Sequence, residues 1–123
     1  MKNKTSRTAA FTLVEIMIVV AIIGLLAAIA IPNFVRARTT AQMNACINNL
    51  RQLDGAVQQY ALEQKQASSA TYTIDLLKPY LKLTTAGEIP ACPAGGTYSE
   101  GATVVNPPTC SLSTLVGSPH VLP

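Results

Sequence analysis

The sequence has no tryptophan, a single histidine, only 5% aromatic residues and only 12% charged ones among its 123 residues. Each scarcity excludes something. One histidine, His120, and six acids without a paired-carboxylate arrangement leave little material for acid–base catalysis. The nine basic residues do not make a polyanion-binding surface, because Lys2, Lys4 and Arg7 lie at the N-terminus and the chain from Phe11 onward carries six basic and six acidic residues. Neutralising phosphates requires clustered Lys and Arg on the folded part, so no nucleic-acid partner is expected. The length leaves room for one small core and argues against two globular domains.

What the sequence has in excess is local. Of its 60 hydrophobic residues, 18 fall in the 21 positions from Phe11 to Ile31, and the remaining 102 positions are about 41% hydrophobic, ordinary for a small soluble domain. Ile16 to Ile31 is sixteen residues without a charge. At about 1.5 Å per residue, a helix over Phe11–Ile31 spans about 31 Å, the thickness of a bilayer's hydrocarbon core. A chain this short has too little other protein to bury such a helix, which favours a membrane span. A secretory signal peptide is the competing reading: Ala28-Ile29-Ala30 fits a small-x-small cleavage site, and cutting there releases a soluble domain beginning Ile31-Pro32. The length of the apolar run, the acid near its start and the proline just past the cut weigh against it.

That acid is Glu15. A carboxylate among Phe, Leu, Val and Ile costs about 2.5 to 3.5 kcal/mol at the centre of a membrane helix. If the chain were cut between Ala10 and Phe11, a new α-amino group would lie four residues from Glu15, one helical turn away, where opposite charges attract in a low dielectric. The residues alone leave this pairing and a solvated carboxylate at the membrane interface equally open.

Phe11-Thr12-Leu13-Val14-Glu15-Ile16-Met17-Ile18-Val19-Val20, with Gly24 and Pro32-Asn33-Phe34 downstream and a basic stretch upstream, resembles the class III signal and N-terminal helix of type IV pilins and type II secretion pseudopilins. The resemblance covers about 30 residues. It implies a prepilin peptidase that cuts between Ala10 and Phe11 and methylates the Phe11 amine. It also implies that Phe11 and Glu15 act in subunit assembly, the Glu15 carboxylate facing the N-terminus of an adjacent subunit. Further implied partners are identical or related pilin subunits in a filament, an inner-membrane assembly machinery and membrane lipid, with no cofactor. The implied location is the bacterial inner membrane, single-pass, with a cytoplasmic leader and a periplasmic C-terminal domain, and the filament in the periplasm or at the cell surface. Lys2, Lys4 and Arg7 on one side of the span against Arg36 and Arg38 on the other agree with that orientation. The family usually has glycine before the cut; here the residue is Ala10.

The expected fold is α+β and pilin-like, a long N-terminal helix on a small C-terminal antiparallel sheet. Residues 1–10 are the leader, 11–32 the transmembrane and polymerisation helix, 33–66 an amphipathic helix and 67–123 a small globular region. Gly24 and Pro32 soften the helix between them, since Pro32 removes a hydrogen bond to the Ala28 carbonyl; the resemblance implies that this stretch unwinds on assembly. Beyond Pro32, Met43, Cys46, Leu50, Leu53, Val57 and Tyr60 form an apolar stripe, widened by Ile47, Ala56 and Ala61. Thr73 reads as the N-cap of a short helix, Ile74 to Lys78, ended by Pro79. Lys78 and Lys82 read as plain surface. Thr97-Tyr98-Ser99 and Thr109-Cys110-Ser111-Leu112 read as two short strands lying on the stripe.

Cys92 and Cys110 flank these strands with 17 residues between them. That separation suits a disulfide worth about 3 kcal/mol in the loop-entropy model, and the family often staples this region. Cys46 is then left over as a buried free thiol in the helix seam. A zinc site made of Cys92, Cys110 and His120 lacks a fourth ligand and any CxxC spacing, so no metal is expected. Cys92-Pro93-Ala94-Gly95-Gly96 is no phosphate loop, and Ser118 and His120, in a tail with Pro and Gly and no orienting acid, read as solvent-exposed rather than catalytic. The reading is therefore a structural subunit and not an enzyme. The alternative is a small exported or membrane-tethered envelope domain that binds a partner and does not polymerise.

Overall fold

Residues 9–123 are described by a computed structural model; the leader residues Lys2, Lys4 and Arg7 lie outside them. Among the described residues the element order is one long α-helix, a short 3-10 helix and two short strands. The helix, α1, is Leu13–Glu63, 51 residues with Pro32 inside it. Its start is fixed by Thr12, which satisfies one of the helix's orphan N–H groups by accepting a hydrogen bond from the Glu15 backbone N–H at 3.3 Å. Its end is a Schellman motif: Lys65 takes a left-handed conformation (φ 50°), the Gln66 N–H donates to the Ala61 carbonyl at 2.9 Å and the Lys65 N–H to the Leu62 carbonyl at 3.4 Å. The helix thus stops at Glu63, three residues before the expected Gln66.

The described residues fall into two units, the first ending at Arg36 and the second being Ala37–Pro123. In the first, the large apolar side chains from Phe11 to Val35 are exposed, and the most apolar window of the helix has none of its residues buried. A helix of this length and composition is able to cross a membrane.

The second unit is built on the expected stripe. Cys46, Leu50, Leu53, Ala56 and Val57 are buried, and the steps of four, three and four residues from Cys46 to Val57 put them on one face. Tyr72, Leu77, Cys92, Val104 and Cys110 complete the core from the rest of the chain, with Tyr60, Ala61, Tyr98 and Leu112 packed around it. The polar edges of the stripe hold the loops in place: Gln42 Nε2 donates to the Pro93 carbonyl (3.3 Å), Asn49 Nδ2 to the Tyr98 hydroxyl (3.1 Å) and Gln58 Nε2 to the Val104 carbonyl (3.3 Å).

The strands β1, Tyr98–Ser99, and β2, Thr109–Cys110, pair antiparallel with Tyr98 opposite Cys110 and Ser99 opposite Thr109. They are shorter than expected because the pairing outside them passes to a side chain: the Ser111 N–H still reaches the Thr97 carbonyl at 2.9 Å, but the Thr97 N–H donates to the Ser111 hydroxyl at 3.0 Å. The short helix also differs from expectation. It is a 3-10 helix over Ile74–Tyr80 that runs through Pro79, and Thr73 makes no side-chain cap bond. The φ of about −65° that the proline ring imposes falls in the 3-10 range, and the tighter winding turns Leu77 into the core. Lys78 pairs with Asp75 at 3.1 Å and Glu88 at 3.5 Å, and both carboxylates raise its pKa. It is therefore no free cationic patch.

Gly101 marks a close approach of two backbones. Its N–H donates to the Tyr72 hydroxyl at 2.8 Å, and a Cβ at this position would run into the Asn106 backbone carbonyl. Backbone cannot swing aside as a flexible side chain can. Gly101→Ala is therefore expected to destabilise the second unit by about 1 to 3 kcal/mol, as overpacking does; thermal melting followed by circular dichroism checks it.

Candidate functional site

Two groupings carry chemistry, one in each unit. In the first, Thr12 and Glu15 form a reciprocal pair. The Thr12 N–H donates to Glu15 Oε2 at 2.8 Å while the Glu15 N–H donates to Thr12 Oγ1 at 3.3 Å. This is a capping box, and its Thr-x-x-Glu signature is present in the sequence. The carboxylate is thereby aimed at the N-terminal end of the helix, toward Phe11, whose side chain is 82% exposed. Gly24 and Pro32 both lie within α1, and a Cβ at Gly24 would meet nothing within 4 Å.

The second grouping was not expected. The three cysteines are free thiols, and Cys46, Cys92, Cys110 and His120 bring their Sγ and ring-nitrogen atoms within 4.8 Å of one another. All four residues are at most 4% exposed. Each comes from a different part of the unit: Cys46 from the stripe of α1, Cys92 from the loop after Pro90, Cys110 from β2 and His120 from the tail. The tail folds back because the His120 N–H donates to the Leu112 carbonyl at 3.2 Å, which sets Nδ1 at 3.4 Å from Cys92 Sγ. His120 is therefore buried, contrary to its reading as a solvent-exposed tail residue, while Ser118 is only half-buried.

The loop Cys92-Pro93-Ala94-Gly95-Gly96 turns tightly, the Gly95 N–H donating to the Cys92 carbonyl at 3.0 Å. Burial pushes the Cys92 thiol up, but the backbone N–H groups of Ala94 and Gly96, with the neighbouring thiols, outweigh it and hold Cys92 below its ordinary pKa. Gly96 is required for the approach to β2, since a Cβ there would lie 2.7 Å from Cys110 Sγ and 3.0 Å from Leu112 Cγ. Burial pushes the Cys46 thiol up to about 12. Burial and the Cys46 thiol also raise the Tyr98 hydroxyl.

Cys92 and Cys110, the expected disulfide partners, are thus neighbours in a cluster that also contains Cys46 and His120. The donor missing from the sequence reading of a metal site is Cys46. No local spacing announces it, because the four donors are brought together by tertiary packing alone.

Comparisons with known proteins bear on the N-terminal segment through a family model, and on a longer stretch, reaching beyond Arg36, through individual relatives. The family model described as the prokaryotic N-terminal methylation motif matches residues 5–31. The chain is 45% identical over 62 residues to the type IV major pilin of Myxococcus xanthus, covering 50% of this chain and 28% of that one. It is 34% identical over 97 residues to a type IV major fimbrial protein of Dichelobacter nodosus, covering 79% of this chain and 55% of that one. To the type II secretion system core protein G of Aeromonas hydrophila it is 28% identical over 71 residues, 58% of this chain and 50% of that one. The chain therefore spans less than two thirds of the length of these relatives. No solved structure gives a significant match.

Proposed function

We propose that the chain, whose residues 5–31 match the prokaryotic N-terminal methylation motif and which is similar to type IV pilins and to a type II secretion core protein, is a structural subunit of a pilus or pseudopilus filament and not an enzyme. A prepilin peptidase cuts between Ala10 and Phe11 and methylates the new amine, and the apolar half of α1 holds the subunit in the inner membrane until it packs against like helices. The observation that carries this reading is the combination of the motif with an apolar helix whose most apolar window has, among the described residues, nothing buried. Surface of this extent stays in water only at large cost, so it belongs in lipid or against other subunits. A repeated head-to-tail contact between identical subunits propagates as a helical fibre rather than closing into a ring. Gly24 and Pro32 supply the soft stretch for repacking, and the second unit is the part presented outside the filament core.

Mass spectrometry of the mature N-terminus tests the proposal. The expected species begins at a methylated Phe11. An N-terminus at Ile31 or an uncut Met1 would overturn the proposal and favour the released or tethered envelope domain.

A further inference from the structure

We propose that Cys46, Cys92, Cys110 and His120 bind one zinc ion as a closed, structural Cys3His site that staples the second unit. Three soft thiolates and one imidazole are the donor set of structural zinc, and tetrahedral coordination by four protein atoms leaves no position for a reacting water. The geometry on which this rests is already assembled. Zn–S bonds of about 2.3 Å and a Zn–N bond of about 2.0 to 2.1 Å place the donors of a tetrahedron about 3.5 to 3.8 Å apart. The observed Cys92 Sγ to His120 Nδ1 separation is 3.4 Å, and all four donor atoms lie within 4.8 Å of one another. Small side-chain rotations close the remainder.

The surroundings fit a thiolate centre as well. Three thiolates, a neutral imidazole and Zn2+ sum to a charge of −1, and a buried negative centre needs hydrogen-bond donors around it. The turn at Cys92 supplies them, through the Ala94 and Gly96 N–H groups on its sulfur. Gly96, with no side chain to fill the gap, lets that turn come against Cys110. Binding balances without redox change: each thiol releases its proton to solvent as a Zn–S bond forms, and the imidazole gives a lone pair.

A disulfide accounts for the same residues less completely. It uses two of three thiols and leaves the third, with a buried imidazole, unexplained. Zinc uses all four, and it ties the stripe of α1, the Cys92 turn, β2 and the tail at one point. A unit with two strands of two residues each and a ten-residue buried core gains most from such a staple.

The test uses the full chain, purified in detergent under anaerobic conditions and dialysed against metal-free buffer, with metal content measured by mass spectrometry. One zinc per chain is expected. X-ray absorption at the zinc edge should show three sulfurs at about 2.3 Å and one nitrogen at about 2.0 to 2.1 Å. Cys46→Ser and His120→Gln should each lower zinc affinity tenfold or more. Because either variant can fail to fold, Co2+ is also added to the metal-free wild-type chain, where tetrahedral d–d bands with thiolate-to-cobalt charge transfer are expected. A metal-free chain with a Cys92–Cys110 disulfide in unreduced peptide maps would overturn the proposal. So would a cobalt adduct without charge transfer, or a Cys46→Ser variant that folds and keeps full zinc affinity. None of these outcomes bears on the mature N-terminus, so this proposal and the filament reading stand or fall separately.

Discussion

Glu15→Ala is expected to leave the chain inserted in the membrane, or inserted more readily, and to reduce assembled filaments at least tenfold. The first half follows from removing a carboxylate that opposes insertion. The second follows from what the carboxylate does at the start of α1. It already turns back to the Thr12 N–H, so it points toward the end where a cut before Phe11 would create a positive amine. Opposite charges about 4 Å apart attract by about 4 kcal/mol at an effective dielectric constant of 20, and 1.4 kcal/mol is already a factor of ten. The capping box offers a competing explanation, since alanine also removes a cap. Glu15→Gln separates the two, because glutamine closes a capping box as glutamate does but carries no charge. If the charge acts on the amine, both variants lose filaments while the glutamine variant keeps the helix start. Normal filament yield from Glu15→Gln would refute the pairing. The readout is sheared filament mass against membrane-fraction subunit.

The contrast between the two units shows what a sequence makes legible. The apolar run, the stripe Cys46, Leu50, Leu53 and Val57, and the two strands are legible because each is set locally, by composition, by helical spacing, and by the Gly95-Gly96 and Pro107-Pro108 pairs that precede the strands. The Thr12–Glu15 box is equally local, its Thr-x-x-Glu spacing making the same acid both a charge in lipid and a cap. The short helix runs through Pro79, where the sequence predicts its end, because proline ends an α-helix but is accommodated in this 3-10 winding, where burial of Leu77 decides. The cysteine–histidine cluster was beyond local reading altogether. Cys46 and His120 are 74 positions apart, and only the packed core, with the Leu112 carbonyl drawing in the tail, reveals that they meet.

That dependence on packing leads to the largest stability effect expected in the second unit, from Leu50→Ala. Leu50 is fully buried one helical turn after Cys46, and it lines a cleft of about 140 Å³ together with Pro107, Pro108 and His120. Removing its isobutyl group loses the transfer free energy of those atoms and enlarges a space that neighbouring prolines are too stiff to refill. Leu→Ala changes in cores cost about 2 to 5 kcal/mol. For a domain of this size each kcal/mol lowers Tm by about 4 to 8 °C, so a fall of at least about 8 °C is expected. All four tyrosines, Tyr60, Tyr72, Tyr80 and Tyr98, lie in the second unit and there is no tryptophan, so the tyrosine band of the near-ultraviolet circular dichroism spectrum reports this unit. Leu62→Ala, at a side chain 80% exposed, is the control and should change stability by no more than about 0.5 kcal/mol. Equal melting of the two variants would mean that the stripe of α1 does not anchor the unit. A large loss confined to Leu50 would place the unit's stability on the same helix face that presents Cys46.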